Sequence, residues 1–489
     1  MVPDDSGHGV AALAVSGVVA RLLDFGYRIS LVRLAGPELV GVFRIIFPIF
    51  GTLAALVGGG IPPAVANLIA QKHKARDESG IRHVMRMGLY ITAGLGSAVA
   101  MVVMFTARFM ATTVAREPRV SLGLVAIAPA VAIIPVSGVF RAYFQGTAHL
   151  MIPAWSQLVE EIAQVTAGLA LVTVLVPHGQ EMAVGAMAAA VTVSELAGLV
   201  VLRTAYRPAH APPVGTAVAP LRETPPAGTL LHGTPPARTP PGAAVGDDLR
   251  YMVRFALPMT ASRLLGSLSG TIGAILVPAR LLAAGYTHSE AMTMFGQLTG
   301  MAGTVAYFPL TLSFAVAYAM VPQVAAAVHG SRRRVKEAVE RAVRLSAAIA
   351  LPSMVVMALL PAPLMRLFFG TTDAATLLLI LAVGSPMAHL DMVMTSALQA
   401  LGRPGVAFRN FLVGEAVNLG GIWLATGRHG GGIAGVAAAG VVATAIEAVL
   451  DYMAVNRAIG RKVSLAVAAR PAVYAAGLAF ILAVWHAWF

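Results

Sequence analysis

Three charged residues lie within the first long apolar stretch of the chain, residues 11–32, where a membrane-spanning helix ordinarily carries none. Arg21, Asp24 and Arg28 are three and four residues apart, so on a helix their side chains share one face. An arginine at the centre of a bilayer costs about 2.5–3.5 kcal/mol on insertion scales. We therefore expect this polar stripe to face water, a protein partner or an anionic ligand.

Arginine is suited to binding phosphate. Its guanidinium is planar and permanently charged, and it holds a phosphate by two parallel hydrogen bonds. A cavity lined by Arg21, Arg28 and Arg263 would suit a lipid pyrophosphate, which carries about two negative charges. Two alternatives stay open: Asp24 pairs with Arg21 or Arg28 and only fixes the first helix to its neighbours, and Arg44 reaches an interface instead of the cavity.

Several acidic residues also fall inside apolar stretches. Glu160 and Glu161 lie two turns into the fifth span, where they could contact cavity arginines, carry a coupling proton or pair with another helix; Glu195 is the third candidate. Glu447 and Asp451 are expected to face lipid headgroups or to pair with Arg457. The remaining intramembrane acids are Asp391 and Glu415.

The composition is that of a polytopic helical membrane protein. The 489 residues are 57% hydrophobic and 12% charged, with a mean hydropathy of +0.78, whereas soluble domains carry roughly 25% charged residues. The net charge of +13 comes mostly from loops between apolar spans and marks topology, so nucleic-acid binding is not expected. Cysteine is absent, which excludes disulfides and thiolate metal sites.

The apolar stretches predict an all-α protein with about thirteen transmembrane helices. Residues 1–206 form a first six-helix lobe, 207–249 a Pro-rich linker, 250–460 a second six-helix lobe and 461–489 an extra helix. The linker is rich in Pro, Ala, Gly and Thr and is expected to be disordered and cytoplasmic; such segments also serve as recognition ligands. Even-numbered spans lead mainly into basic loops, which predicts a cytoplasmic N-terminus in the cell membrane.

The two halves share short patterns in matching order. The second span ends in Gly-Ile-Pro-Pro-Ala-Val-Ala (60–66) and the eighth in Met-Val-Pro-Gln-Val-Ala (320–325), each before a basic loop. Ala-Arg-Leu-Leu (20–23) in the first span matches Ser-Arg-Leu-Leu (262–265) in the seventh. Such repeats are typical of transporters whose site lies between the repeats.

Together with Arg141-Ala-Tyr-Phe-Gln-Gly and Glu160-Glu161, these patterns resemble the stage V sporulation protein B-like polysaccharide and lipid-linked oligosaccharide flippases. That family lies in the multidrug/oligosaccharidyl-lipid/polysaccharide exporter superfamily, which also holds the lipid II flippases. The resemblance covers nearly the whole chain. It implies alternating access between two six-helix lobes, with the substrate headgroup in a central cationic cavity and the lipid tail in the bilayer.

The resemblance also assigns residues. Arg21 matches the first arginine in the first helix of the lipid II flippases, Asp24 and Arg28 correspond to its following Arg-Asp pair, and Arg44 matches a basic residue early in the second helix. The later arginine and acid of that second helix fall here on apolar or glycine positions (53–60), which argues against lipid II itself. Arg263 is then expected to supply the cation of the second lobe.

The function expected is export of an anionic lipid-linked glycan by a monomer without cofactor or metal, coupled to H⁺, Na⁺ or the membrane potential. The alternative is a cation-coupled multidrug antiporter of the same fold, whose site would be lined by acidic and aromatic side chains. An enzyme is not expected, because nucleotide-binding, zinc-protease and hydrolase motifs are absent. His389 beside Asp391 is interpreted as a helix-packing pair, and an envelope polymerase or ligase would need long loops that the sequence lacks.

Overall fold

The computed structural model describes residues 5–206, 245–328, 330–426 and 431–488. These residues form helices and no strand. The α-helices, numbered here α1 to α16, are Asp5–Gly58, Ile61–Lys74, Glu78–Phe109, Ser121–Gly146, Met151–Leu175, Gln180–Ala205, Val245–Ala283, His288–Gly296, Gly303–Tyr307, Leu310–Ala327, Arg332–Leu359, Pro361–Phe369, Ala375–Ala400, Pro404–Ala425, Gly432–Ile459 and Ala469–Trp488. Most of the linker expected at 207–249 lies outside the described residues.

Helix α1 is two helical arms joined at Gly36. Gly36 has φ 80° and ψ 163°, a combination open to glycine but strained for residues with a side chain, and Pro37 then starts the second arm. The expected first and second spans are therefore one bent element, and the second span continues after Gly59 and Gly60 into α2. At Gly60 a Cβ would lie 2.2 Å from the carbonyl oxygen of Ala256, so α7 approaches this break at backbone distance.

Within the described residues, eleven stretches are long and apolar enough to cross a membrane. The first of them, Val19–Lys74, has 56 residues and bends at Gly36, so it is long enough for two crossings. The prediction of an all-α polytopic protein is confirmed, while the count of thirteen stays a prediction.

The chain forms two compact units. In the first, α5 packs on α6 and α1, and α4 packs on α2, α3 and α6. The start of α7 belongs to this unit, because Met252 joins an apolar cluster that also contains Leu68, Met85 and Phe140. The unit ends at Ile275, inside α7. The predicted lobe boundaries at 206 and 250 are not tested by this division.

The second unit is built on α13 and α15. Helix α13 packs on α10, α11 and α15, and α14 packs on α15. Its apolar core includes Val324, Val339, Leu398 and Val455 from four different helices. The C-terminal helix α16 packs on α11.

Candidate functional site

The two arms of α1 line one pocket in the first unit. Arg28 and Arg44 lie eight residues before and after the bend at Gly36, which puts both about 12 Å from it at 1.5 Å per residue. The space that its walls enclose is about 20 Å³, room for one water molecule. Its walls are Asp24, Tyr27, Arg28, Leu31, Val40, Phe43, Arg44, Phe47 and Gln164.

Asp24 and Arg28 form an ion pair on the wall of this pocket. Nε of Arg28 lies 2.8 Å from each carboxylate oxygen of Asp24, one helical turn away. Both side chains are partly exposed. This is the internal pairing that the sequence left open as an alternative, and it uses the one acid of the α1 stripe.

Arg44 is the cation that this pairing does not neutralise. Its charge interacts with those of Arg28 and Asp24, but among the described residues it forms neither an ion pair nor a hydrogen bond. The pocket wall thus carries two guanidinium groups, of Arg28 and Arg44, and one carboxylate, of Asp24. Such a site favours a negatively charged ligand.

Helix α5 presents polar groups to the same stripe. The charge of Glu161 interacts with those of Asp24, Arg21 and Arg28, and Gln164, one turn further, lines the pocket. Arg21 is exposed on the arm before the pocket and is not part of its wall. The structure therefore brings Arg21, Asp24, Arg28, Arg44 and Glu161 into one region.

Tyr27 and Gln164 lie on the pocket wall but were not among the predicted site residues. Tyr27 is 3% exposed and packs on α5 so closely that a Cβ at Gly168 would lie 2.2 Å from its hydroxyl oxygen. That hydroxyl has no hydrogen-bond partner in the described part of the chain. Gln164 follows Glu160 and Glu161 at helical spacing, so extending the polar stripe of the fifth span would have found it.

Glu160 belongs to a different cluster from Glu161. Its carboxylate accepts hydrogen bonds from the Arg141 guanidinium and, at 2.9 Å, from the Ser156 hydroxyl. Glu195 on α6 is close enough for its charge to interact with those of Glu160 and Arg141. Its Oε2 is buried and has no hydrogen-bond partner within the described ranges. Two carboxyl groups therefore lie near one arginine where α4, α5 and α6 meet, and Glu160 is the one paired with it.

Arg263 does not reach the pocket. It is exposed on α7 and is absent from the pocket wall. One turn after it, Ser267 lies 3.1 Å from the Thr52 hydroxyl, and Thr271 lies 2.9 Å from the same group. This part of α7 therefore lies beside the second arm of α1. Arg263 is near the end of that arm that follows Thr52, whereas Arg44 precedes Thr52.

In the second unit, Asp451 is held by polar side chains of neighbouring helices. Asp451 is fully buried and accepts hydrogen bonds from Thr395 at 2.5 Å and Asn410 at 2.7 Å. The expectation that Asp451 faces headgroups or Arg457 is wrong, because Asp451 points into the packing of α13, α14 and α15. No group of three His, Cys, Asp or Glu side chains among the described residues could hold a metal ion.

His389 was expected to pack against a neighbouring helix, beside Asp391. Its Nδ1 lies 2.6 Å from the hydroxyl of Ser313 on α10. The charge of Asp391 interacts instead with those of Glu447 and Asp451 on α15. The two residues thus face different helices, so they are helix-packing groups but not a pair with each other.

Comparison with known families decides the classification. Residues 6–328, about two thirds of the chain, match the family model described as polysaccharide biosynthesis protein. The chain belongs to the polysaccharide biosynthesis protein family. It is 28% identical over 453 residues to stage V sporulation protein B of Bacillus subtilis (strain 168), covering 92% of this chain and 83% of that protein. Sporulation protein YkvU of the same organism is 24% identical over 368 residues, which are 75% of this chain and 76% of that protein.

This member of the polysaccharide biosynthesis protein family has the fold of MOP-superfamily transporters. An inward-facing multidrug resistance transporter of the MATE family matches with a TM-score of 0.68 at 15% identity, over 92% of this chain and 98% of the other. A MOP-superfamily transporter from Pyrococcus furiosus, described as having a binding pocket of reversed polarity, matches with a TM-score of 0.61 at 17% identity over 94% and 96% of the two chains. The fold and the eleven apolar stretches of the described residues agree on a multi-pass membrane protein.

Proposed function

We propose that this chain is an alternating-access flippase or exporter that moves an anionic lipid-linked glycan across the cytoplasmic membrane. The substrate class would be a polyprenyl-pyrophosphate-linked precursor of the cell envelope or of a polysaccharide. The observation that carries the proposal is Arg44, a pocket cation without an ion pair among the described residues, beside an Asp24 already bound to Arg28. A charge held inside a membrane protein without a partner marks a ligand site more often than a structural one.

The groups on the pocket wall support recognition of the headgroup. The space between them is about 20 Å³, room for one water-sized group, so in this conformation a phosphate oxygen fits between Arg28 and Arg44 and a glycan with its carrier lipid does not. Arg28 and Arg44 would donate to phosphate oxygens from the two arms of α1, and Gln164 would add a neutral donor. The edge-to-face rings of Phe43 and Phe47, 5.2 Å apart, form an apolar side that excludes water from these contacts.

The acids of α5 and α6 are proposed to couple transport to an ion or to the membrane potential. Glu161 suits this role best, because its charge interacts with those of Arg21, Asp24 and Arg28 on α1. A proton or Na⁺ bound there would change the net charge that the headgroup meets. Glu160 is held by Arg141, so its role in this scheme is to fix α5 against α4, with Glu195 beside it as a second titratable carboxyl group.

The proposal is tested by native mass spectrometry of the protein purified from its own membranes in mild detergent. We expect polyprenyl-pyrophosphate glycans as bound adducts of the wild type and their loss from Arg44→Gln. Arg254→Gln, which removes an exposed arginine from α7, is the matched control and should keep the adducts. Phospholipids as the sole adducts of all three proteins would overturn the proposal.

A transport assay separates this function from drug export. In proteoliposomes with a pH gradient, the wild type should move a fluorescent polyprenyl-pyrophosphate sugar and should not accumulate a lipophilic cation such as ethidium. Uphill accumulation of ethidium, undiminished in Arg44→Gln, would show instead the multidrug antiporter. In both assays the protein is expected to act as a monomer with a cytoplasmic N-terminus.

A further inference from the structure

The first four turns of α11 carry more positive charge than their neighbours neutralise. The acids there are already engaged: Arg333 Nε lies 2.7 Å from Glu337, and Lys336 Nζ lies 3.5 Å from Glu340. Glu340 also accepts from the backbone of Ser464 at 2.7 Å. The basic residues of these turns are Arg332, Arg333, Arg334, Lys336, Arg341 and Arg344.

Arg334 and Arg341 remain without an ion pair in the part of the chain that the structure describes. They are seven residues apart, so their side chains lie on one face of α11, two turns from each other. Arg334 also lies in the first turn of the helix, which contains no acid. Cations at this end oppose the helix dipole, whereas a bound anion is favoured there.

These two arginines line a pocket between the end of α10 and the start of α11. Its volume is about 300 Å³. Helix α10 contributes an amide and methyl groups, and no acid. The full lining is Gln323, Ala326, Ala327, Arg334, Glu337, Ala338 and Arg341.

The two faces that form this pocket become apolar beyond it. On α11, Leu345 follows Arg341 by one turn and is 47% exposed. On α10, the face of Gln323 continues through Val316 to Leu312, which is 43% exposed. A ligand with a negative headgroup and apolar tails matches the polar pocket together with the apolar surface beyond it. A soluble anion would contact only the pocket.

We propose that the pocket between α10 and α11 binds the headgroup phosphate of an anionic phospholipid, whose acyl chains lie along Leu312 and Leu345. Arg334 and Arg341 hold the phosphate oxygens, and Gln323 contacts the glycerol part of the headgroup. Basic pockets between membrane helices recognise anionic lipids in this way. The site lies within the second unit and does not depend on the glycan substrate proposed above.

The test measures lipid stabilisation of the full-length protein in detergent. A ligand at free concentration L that binds only the folded state stabilises it by RT ln(1 + L/Kd), so a tighter ligand raises thermal stability at a lower concentration. We expect short-chain phosphatidylglycerol to stabilise the wild type at lower concentration than phosphatidylcholine of the same chain length. In Arg334→Gln/Arg341→Gln the apparent affinity for phosphatidylglycerol should fall about 10-fold or more, because both charge-assisted contacts with the phosphate are lost.

A control pair removes the same charge elsewhere. Arg403→Gln/Arg461→Gln changes two exposed arginines of the second unit outside the pocket and should keep the wild-type response. An equal loss in this control would overturn the proposal in favour of diffuse attraction to basic loops. Arg334→Lys/Arg341→Lys keeps the charge and should retain part of the affinity. Stabilisation by inorganic phosphate at the same concentrations as by phosphatidylglycerol would show a site for a soluble anion instead.

Discussion

The Arg119 guanidinium lies 2.6 Å from the carboxylate of Glu38 and thereby connects the loop before α4 to the turn between the two arms of α1. It also forms two hydrogen bonds of 2.8 Å with Glu117, which is fully buried, and one of 2.7 Å with Gln180. One side chain thus fixes the bend that brings Arg28 opposite Arg44. The geometry of the candidate site depends on a residue that does not touch it.

We expect Arg119→Gln to destabilise the protein by about 3–5 kcal/mol, because it removes the cation from a buried carboxylate. Thermal unfolding in detergent measures the change. Arg116→Gln is the matched control, since Arg116 is an exposed arginine of the same loop, and it should leave the melting temperature unchanged. Equal melting curves for the two variants would contradict this role.

The start of α3 gives a prediction on pH. Asp77 is the N-cap of this helix, and hydrogen bonds from the Gly80 amide and the Ser79 hydroxyl hold the pKa of its carboxyl group below the usual value. A depressed pKa in the folded state contributes stability that is present above the unfolded pKa of about 3.9 and lost as the pH falls through the folded value. Asp77→Ala should cost about 1 kcal/mol at pH 7.

Asp77→Asn is the control for this prediction, because asparagine also caps helices but does not titrate. It should keep most of the stability at pH 7 and should flatten the decline of the melting temperature between pH 5 and pH 3 relative to the wild type. A decline as steep as that of the wild type would assign the acid sensitivity to other groups.

Topology is tested with single cysteines, since the chain has none of its own. Thr216→Cys and Thr234→Cys lie in the predicted cytoplasmic linker, outside the described residues, and should react with impermeant maleimide only after lysis. Arg116→Cys lies in an exposed loop after an odd-numbered span and should react in intact cells. The opposite labelling pattern would reverse the predicted orientation.

The acids on α5 should separate into two roles. Glu161→Gln should abolish the accumulation of substrate that an ion gradient drives and should spare substrate exchange without a gradient. The reason is that Glu161 faces the charged residues of α1 and forms no hydrogen bond among the described contacts. Glu160→Gln should lower thermal stability, because it weakens the partner of Arg141; Arg141→Gln/Glu160→Gln should recover part of it. Unchanged uphill transport in Glu161→Gln would leave this acid a structural role only.

The stripe on the first helix could be predicted because helical spacing fixes which side chains share a face, whatever the tertiary structure. The proximity of Arg28 and Arg44 could not be predicted, because it depends on the bend of the chain at Gly36. Many apolar spans contain a glycine at which the helix does not bend. The assignment of Glu160 to Arg141 depends on how α4 and α5 rotate against each other. Neighbouring glutamates point about 100° apart on a helix, and the sequence does not say which one meets which arginine.

The misassignment of Asp451 has a similar cause. Its position one turn after Glu447 and near Arg457 suggested a helix end at the headgroups, whereas Thr395 and Asn410 on two other helices satisfy its carboxylate inside the second unit. A buried acid is stable when its oxygens are hydrogen-bonded, and those donors are 41 and 56 residues away in sequence. Only the packed structure identifies them.

The pair of Asp24 and Arg28 gives the sharpest test of the cationic pocket, because it separates binding of an anion from helix packing. Arg28→Ala alone leaves the Asp24 carboxylate without its cation and should lower both thermal stability and transport. Asp24→Ala/Arg28→Ala removes both charges and should restore stability. If Arg28 contacts the headgroup, transport by this double variant should remain about 10- to 100-fold slower than that of the wild type despite its restored stability. This is the loss expected for one charge-assisted hydrogen bond of about 1.5–3 kcal/mol.

Arg28→Lys completes the comparison, since it keeps the charge but loses the planar fork and should show intermediate transport. The measurements are glycan transport in proteoliposomes and thermal unfolding in detergent on the same preparations. A double variant that is both stable and fully active would show that the pair serves packing alone. Arg44→Gln then decides whether the pocket binds an anion. Arg44 forms no ion pair or hydrogen bond among the described residues, so its loss should leave stability unchanged. Transport should be abolished only if the pocket binds an anion.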